Sequence, residues 1–352
     1  DNEGLAGRHP LAPPCLELPR GACTQLVRYY GAAFPKSHQG SLFLDNWGAH
    51  GFNAGNRTIH RYVPDERNNI VKKEDWLTCA DPHFRCSHIV VAPDGNMLIA
   101  DWYGRDDESD LTGRIWKVKY VGDEPTPKVE HALDSADWKN RDYAASALGS
   151  PDHLIRAKAV EELAAQGDAA VDAVAEQAAS AKHSLGAASA LWTLLRINTA
   201  RSKQAIAKGA LHSDWRVRRL AINLLRRHDL PDADKVAAQL AKDPDPAVRV
   251  EAAFARKDAG SIRSAILDAL RNGAAEDPHL RYEAAWRLAK HAGADDFSDL
   301  LADPDESMRL AGLIAMDAAL YERFPSREFA LNALSSALVS AKEGELKTLL
   351  KL

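Results

Sequence analysis

This sequence of 352 residues lacks any stretch of about 20 consecutive apolar residues, and it lacks an excess of positive charge. The first absence argues against a transmembrane helix, which needs about 20 such residues. With 45 Lys and Arg against 50 Asp and Glu, the net charge of −5 argues against a nucleic-acid-binding protein. One basic cluster does occur, which we interpret as a solvated helix face with one or two structural arginines: Arg216, Arg218, Arg219, Arg226 and Arg227.

Cysteine is scarce and confined to the first 90 residues, where Cys15 and Cys23 form one close pair and Cys79 and Cys86 another. Neither pair has the C-x-x-C spacing, and the C-x-x-C-H signature of covalent haem attachment is absent. Two short-loop disulfides in an exported protein are one interpretation, and reduced, buried cysteines are the alternative. The spacing is poor for a metal site. The sequence also lacks a nucleophile elbow, a phosphate loop and a zinc-protease helix.

Residues 140–340 are rich in Ala and Leu and carry about six copies of a repeat of roughly 31 residues. An arginine marks five copies, and Gly186 takes its place in the other. Each arginine follows an aspartate by four residues, giving the pairs Asp152 and Arg156, Asp214 and Arg218, Asp245 and Arg249, Asp277 and Arg281, and Asp305 and Arg309. Three residues after the marker the side chain is small: Ala159, Ser189, Ala221, Ala252, Ala284 or Gly312.

These positions have a physical meaning in a stack of helices. The aspartate is predicted to accept backbone N–H bonds at the start of a helix, and the small residue lets neighbouring helices approach closely. An apolar stripe at helical spacing, for example Val217, Leu220, Leu224 and Leu225, predicts the buried face. Because one helix pair cannot bury its apolar face alone, we expect the units to stack into one core. The pattern resembles HEAT repeats of the short bacterial kind.

The segment before the repeats reads as short β-strands separated by turns. The predicted strands are Gln25–Tyr30, Ser41–Asp45, Thr58–Val63, Cys86–Val91, Asn96–Ala100 and Arg114–Tyr120. Residues 91–96 predict a tight turn in which Gly95 takes a positive φ. The same succession of segments occurs twice. An apolar strand ends in Asp45-Asn46-Trp47 or in Asp101-Trp102, and it is followed by a loop and then by a strand in which basic and apolar residues alternate. This order is typical of a β-propeller blade.

The motifs Ala92-Pro93-Asp94-Gly95, Ala100-Asp101-Trp102-Tyr103 and Gly113-Arg114-Ile115-Trp116 resemble blades of the soluble quinoprotein sugar dehydrogenases. Together with the repeats, they are more similar still to the large exported membrane-bound dehydrogenase-like proteins of planctomycete-type bacteria. In that family a propeller is followed by HEAT repeats and a haem-binding cytochrome c domain. The resemblance therefore implies pyrroloquinoline quinone (PQQ) and calcium as cofactors, with haem c in a further domain. Only about two blades are present, and a propeller needs at least four, so we expect a fragment of a longer polypeptide.

The resemblance also implies site residues. His88 would be the base that removes the substrate proton and Arg85 the cation that faces the quinone carboxylates, although both could simply join one blade to the next. The acidic loop could hold calcium through Asp101, Asp106, Asp107 and Asp110, with Glu108 beside them. A solvated loop is the alternative, with Asp101 locking a neighbouring strand. Two further sets are assigned structural positions: Trp47, Trp102 and Trp116 between blades, and His183, His212 and His279 at the surface of repeat turns.

The predicted fold is therefore mixed β followed by all-α, with a partial β-propeller of about two blades before an α-solenoid of HEAT-like repeats. Its divisions are a lead-in over residues 1–24, blades over 25–122, a linker over 123–139, the solenoid over 140–340 and a helix end over 341–352. The first functional hypothesis is an exported sugar or alcohol dehydrogenase whose solenoid positions the propeller toward a cytochrome. The second is a non-catalytic scaffold that binds a protein or a polysaccharide.

Overall fold

The computed structural model describes residues 23–46, 58–81, 84–102, 113–180, 182–322 and 324–340. In this part of the chain two small antiparallel β-sheets are followed by a helical region, which confirms the predicted order of β and then α structure. The described residues up to Leu163 form one compact unit, and those from Ala164 onward form a second. The first unit therefore contains both sheets together with the first helices.

The first sheet is a meander of β1 to β4 in sequence order, and the second is a meander of β5 to β7. Their strands are β1 (Leu26–Arg28), β2 (Leu42–Asp45), β3 (Thr58–Pro64), β4 (Ile70–Thr78), β5 (Cys86–Val91), β6 (Met97–Asp101) and β7 (Arg114–Val118). The predicted tight turn is confirmed. The Ala92 N–H donates to the Asn96 carbonyl at 2.7 Å, and Gly95 has a φ of +78°.

Strand β4 was not predicted, because Lys72, Lys73, Glu74 and Asp75 interrupt its apolar residues. The structure shows what makes these charges acceptable. β4 is an edge strand that pairs only with β3 within its sheet, and Arg61 on β3 donates to Glu74 at 2.9 Å. His60 on β3 contacts Asp75 at 2.8 Å in the same way. Cross-strand pairing of opposite charges stabilises this edge, and the edge position leaves the remaining charges in water.

The two sheets share a core of large side chains. Tyr29, Phe34 and Phe43 from the first sheet and its loops cluster with Ile89 and Ile99 from the second, all almost fully buried. The Tyr29 ring contacts Phe34 edge to face at a centroid distance of 5.2 Å, and its hydroxyl donates to the Gly95 carbonyl at 2.7 Å. Burial raises the pKa of Tyr29 to about 12. A single aromatic residue thus ties the first sheet to the hairpin turn of the second.

The segment predicted as a linker, residues 123–139, ends in a short 3-10 helix, Ala136–Lys139, whose Trp138 is buried. The Trp138 indole donates to the Ala132 carbonyl at 3.0 Å, and its ring packs edge to face on Tyr143 of α1 (Arg141–Ala147). Helix α2 (His153–Gln166) begins against the first sheet, since the His153 N–H donates to the Tyr30 carbonyl at 3.1 Å. The first helices therefore pack with the sheets.

The second unit is built from helices that pack in succession. They are α3 (Val171–Ser180), α4 (Ser184–Ile197), α5 (Ala200–Ala205), α6 (Trp215–Arg227), α7 (Ala233–Leu240), α8 (Pro246–Phe254), α9 (Ala259–Ala269), α10 (Pro278–His291), α11 (Asp296–Leu301), α12 (Glu306–Tyr321) and α13 (Arg327–Ser340). The helices that carry the repeat marker, α4, α6, α8, α10 and α12, each contact the next one in that series. The helices between them pack on the side of this series, for example α9 on both α8 and α10.

The small residues lie where helices meet. Ala221, Ala252 and Ala284 are fully buried at equivalent points of α6, α8 and α10. At Gly312 of α12, an added Cβ would lie 2.7 Å from the Leu300 Cβ of α11, which is too close for a real contact. At Gly312 the predicted reason for a small side chain is thereby confirmed.

Candidate functional site

Asp101 ends β6 with a fully buried side chain whose two carboxylate oxygens both accept N–H bonds. Oδ1 accepts the Arg85 main-chain N–H at 2.8 Å. Oδ2 accepts Nε of Arg114 and the indole N–H of Trp116, both at 2.9 Å. Asp101 therefore locks the entry of β5 and the start of β7 to the end of β6. A carboxylate surrounded in this way by N–H donors does not fit a calcium ligand, which must turn its oxygens toward the cation.

Asp45 occupies the corresponding place at the end of β2 and is equally buried. Its Oδ1 accepts the main-chain N–H groups of Thr24 at 3.0 Å and Gln25 at 2.8 Å, just before β1. Each sheet thus uses one buried aspartate to hold the chain that enters its first strand. The repeated order of residues in the sequence corresponds to a repeated hydrogen-bonding arrangement in the structure.

Arg85 and His88 lie on either side of an irregularity in the pairing of β5 with β6. Arg85 is half-buried, and its main chain both donates to Asp101 and accepts the Trp102 N–H at 2.8 Å. His88 pairs with Ala100, and its side chain is exposed. Asp106, Asp107 and Asp110 lie outside the described residues. Within the described ranges, no three His, Cys, Asp or Glu side chains are grouped as a metal site would require.

The described cysteines are free thiols: Cys23 is exposed, Cys79 is half-buried and Cys86 is buried. Of the two alternatives, this arrangement matches the reduced, buried state for Cys86 and not a disulfide with Cys79. Burial raises the pKa of the Cys86 thiol, and the nearby Asp45 carboxylate adds to the shift. A thiol with a raised pKa is a poor nucleophile, so Cys86 acts as a core residue.

Two of the structural assignments made from the sequence are wrong. Trp102 and Trp116 were predicted to lie between blades, but their side chains are about half exposed, at 49% and 42%. Trp47 lies outside the described residues. His212 was predicted at the surface, yet it is buried, and its ring Nδ1 accepts the Asp214 N–H at 2.9 Å.

The repeat aspartates begin helices, as predicted. The side chains of Asp152, Asp214, Asp245, Asp277 and Asp305 each accept the N–H two residues later, at 2.7–2.9 Å. The repeat arginines follow an equally regular rule that the sequence did not reveal. In every pair Nη1 of the arginine donates to the carbonyl six residues earlier, in Arg156, Arg218, Arg249, Arg281 and Arg309. Each arginine therefore closes the turn that precedes its own helix.

Arg218 also links one turn to the next. Its Nε and Nη2 reach the carboxylate of Asp243 at 2.6 and 2.8 Å, and the Asp243 side chain is only 3% exposed. Arg249 also reaches onward, but to a main-chain carbonyl, that of Asn272, which accepts one N–H of the guanidinium. A bidentate arginine–carboxylate bond with so little water around it sets the spacing between consecutive turns.

The basic cluster of α6 is partly structural, as predicted, because Arg218 and Arg226 bind buried carboxylates. Arg226 contacts Glu251 of α8 at 2.8 Å, and the Glu251 side chain is 2% exposed. Arg219 contacts Glu283 of α10 at 2.9 Å, across 64 positions of sequence. With Arg287 of α10 these residues form what we call the arginine–glutamate cluster: Arg219, Arg226, Glu251, Glu283 and Arg287.

Arg287 differs from the other arginines of this cluster. Its guanidinium lies over the Phe254 ring, with 5.2 Å between Cζ and the ring centroid. Its Nε is buried and has no hydrogen-bond acceptor among the described residues. Burial lowers the pKa of Arg287, the positive charge of Arg226 lowers it further, and the negative charge of Glu251 opposes both effects. Burial likewise raises the pKa of Glu283, against the opposing effect of Arg219.

The acidic members of this cluster were not predicted. Glu251 and Glu283 each follow a repeat arginine by two residues, and this recurring offset was the available signal. It places both glutamates on the same side of consecutive marker helices.

Comparison with protein-family models and with curated proteins found no match to this chain. Over the residues that the structure describes, no helix combines the length and the apolar character needed to cross a bilayer.

Proposed function

We propose that this chain is a binding scaffold, in which HEAT-like helical repeats present one extended face to a partner. The observation that carries the proposal is the series α4, α6, α8, α10 and α12, in which each helix packs on the next and the last four begin at the same kind of aspartate-capped turn. Stacked repeats of this kind form long surfaces suited to binding a protein or a polysaccharide.

The test uses hydrogen–deuterium exchange of the whole chain with a bound partner. A partner can be selected from displayed proteins or from a panel of soluble polysaccharides. We expect protection to fall on consecutive marker helices, spaced by about one repeat. Protection confined to the sheets, or no selectable partner in either class, would contradict the scaffold proposal.

We also propose that the two sheets are blades of a partial β-propeller related to the exported dehydrogenase-like proteins. The equivalent roles of Asp45 and Asp101 support a repeated unit, as does the meander order of both sheets. In a longer polypeptide with further blades, such a propeller would oxidise a sugar or an alcohol with a bound quinone and pass the electrons to a cytochrome. That protein would be exported.

The described residues support only part of this second candidate. Asp101 does not fit calcium, because N–H donors occupy both of its oxygens. The half-buried Arg85 guanidinium is a group that could bind a quinone carboxylate, whereas His88 lies on an exposed strand position. Dye reduction by a longer protein, with PQQ and calcium added and a panel of sugars, tests this candidate. Turnover no higher than in the blank for every sugar would contradict it.

A further inference from the structure

Strand β7 forms one edge of the second sheet, and its outer side is open. Within the described part of the chain, β7 pairs only with β6, in a register that sets Trp116 opposite Ile99 and Ile115 opposite Ala100. The Ile115 side chain is 76% exposed. An open edge presents unpaired N–H and C=O groups and can therefore pair with a further strand.

The hairpin turn between β5 and β6 fixes the direction of the main-chain groups in this sheet. The Ala92 N–H donates to the Asn96 carbonyl, so these two residues form a hydrogen-bonded pair. In an antiparallel ladder, hydrogen-bonded pairs alternate with pairs that share no hydrogen bond. Along β6, the main-chain groups of Leu98 therefore face β5, and those of Ile99 face β7.

The same alternation applies to β7. Trp116 is opposite Ile99, so its main-chain groups bond to β6. The main-chain groups of Ile115 and Lys117, its two neighbours, consequently point away from the sheet. These two residues supply the donors and acceptors that an added strand would use.

The edge strands β4 and β7 differ in how their charges are arranged. β4 carries four consecutive charged residues, and charges of this kind discourage a further strand from pairing. On β7 the charged side chains have partners within the chain, because Arg114 binds Asp101 and Lys117 binds Asp94. The exposed Ile115 lies between them, so β7 is the less protected edge.

The charge pattern of β7 permits pairing with a second copy of itself. Two antiparallel copies related by a two-fold axis must pair around a single residue, because opposite residues share a face and successive residues alternate between faces. Centred on Ile115, the pairing sets this residue opposite its own copy and Arg114 opposite Trp116. It also sets Lys117 opposite Gly113. No like charges are opposed in this register.

Other symmetric registers are less favourable. Centred on Arg114 or Lys117, the pairing sets two identical charges against each other, which is destabilising. Centred on Trp116, it sets the apolar Ile115 opposite a lysine. On β4, a register centred on any of the four charged residues sets that charge against itself. A second copy therefore fits β7 and does not fit β4.

We propose that this chain forms a two-fold symmetric dimer in which β7 pairs antiparallel with β7 of a second copy, centred on Ile115. The outward main-chain groups of Ile115 and Lys117 then gain partners, and the second sheets of the two copies form one continuous sheet. This dimer does not depend on the scaffold function, since it uses the sheet unit alone.

The experiment measures the mass of the 352-residue chain by sedimentation equilibrium over a range of concentrations. We expect a monomer–dimer equilibrium with a dissociation constant in the micromolar range, because pairing through one strand buries a small area. Ile115→Lys sets two lysines opposite each other and should weaken the dimer at least about tenfold. Val71→Lys is the matched control, since Val71 is 64% exposed on the other edge strand, β4. It should leave the dissociation constant within about twofold.

A charge exchange tests whether residue 115 meets its own copy. Ile115→Glu alone should weaken the dimer as Ile115→Lys does. An equimolar mixture of the two variants should dimerise, because a lysine then lies opposite a glutamate. Recovery in the mixture also requires that both variants are folded. In the original chain, amide exchange of Ile115 and Lys117 should slow as concentration rises, whereas that of Trp116 should not change.

Three results would overturn the proposal. One is a single-chain mass at every concentration. Another is a dimer that Ile115→Lys leaves intact, which would place the interface elsewhere on the molecule. The third is a mixture of Ile115→Lys and Ile115→Glu that stays monomeric. None of these results bears on the scaffold proposal, which is tested by partner binding to the helical repeats.

Discussion

Aspartate serves both regions of the molecule, but its partners lie at different distances along the chain. In the sheets, Asp101 accepts N–H bonds from Arg85, 16 residues earlier, and from Trp116, 15 residues later. In the helical region, Asp277 accepts the N–H groups of His279 and Leu280, two and three residues later. The sheet aspartate therefore holds separate strands together, whereas the helix aspartate organises its own turn. Losing the first should destabilise a whole sheet, and losing the second only one helix end.

The largest expected effect comes from Asp101→Ala, which removes the acceptor for three N–H donors and leaves Arg114 without this buried carboxylate. We expect the free energy of unfolding of the sheet unit to fall by about 3 kcal/mol or more. Urea denaturation followed by tryptophan fluorescence measures it. Asp94→Ala is the control, because its ion pair with Lys117 is exposed and should contribute at most about 1 kcal/mol. Equal losses for the two variants would show that burial of Asp101 does not matter.

Gly312→Ala tests whether close helix approach in the second region matters as much as hydrogen bonding does in the first. The new Cβ would meet the Leu300 Cβ at 2.7 Å, so α11 and α12 must move apart, at a cost of about 1–3 kcal/mol. Gly260→Ala in α9 is the matched control, because its Cβ meets only the Asp258 Oδ1 at 3.4 Å. That control should be neutral or stabilising by up to about 1 kcal/mol. Thermal unfolding measures both, and a stabilised Gly312→Ala would refute the packing argument.

Asp277→Ala tests the local role of the helix aspartates. Removing this cap should cost about 1 kcal/mol, because the first turn of α10 then loses its side-chain acceptor. Asp295→Ala provides the comparison, since Asp295 precedes α11 without a capping hydrogen bond from its side chain. Its effect should stay within about 0.5 kcal/mol. If Asp277→Ala costs as much as Asp101→Ala, the proposed contrast between local and non-local aspartates is wrong.

The smallest expected effect concerns pH. Because burial raises the pKa of Glu283 in the folded state, the folded chain holds this proton more tightly than the unfolded chain does. The contribution of Glu283 to stability is therefore greatest below the unfolded pKa and decreases as pH rises through the raised folded pKa. Glu283→Gln should flatten this part of the curve of unfolding free energy against pH. Identical curves for the two proteins would mean that Glu283 does not titrate in this way.

Local patterns explain why much of the fold could be predicted. The aspartate caps, the turn at Gly95 and most strands depend on residues within a few positions of one another, and these patterns are visible in the sequence. Strand β4 was missed because its charges break the apolar pattern, and only its place at the sheet edge makes them acceptable. His212 was misplaced for a similar reason, since its burial depends on helices that pack around the turn.

The candidate sites were less accessible to sequence reasoning. Arg85 and His88 were proposed as site residues because of a family resemblance. In the structure Arg85 lies just before β5, and His88 lies at an exposed position of that strand. The arginine–glutamate cluster was not predicted as a unit, because Arg219 and Glu283 are 64 positions apart. Their contact requires a particular stacking of α6, α8 and α10.

The amino-acid sequence by itself determined that strands precede helices, where the repeat helices begin and which positions between helices must stay small, because each of these depends on neighbouring residues or on a fixed period. The tertiary structure alone decided which charges meet. Arg226 and Arg219 acquire carboxylate partners from later helices, whereas Arg287 acquires an aromatic ring. The physical reason is that helix stacking brings together side chains from separate repeats, and their charges interact according to distance in space.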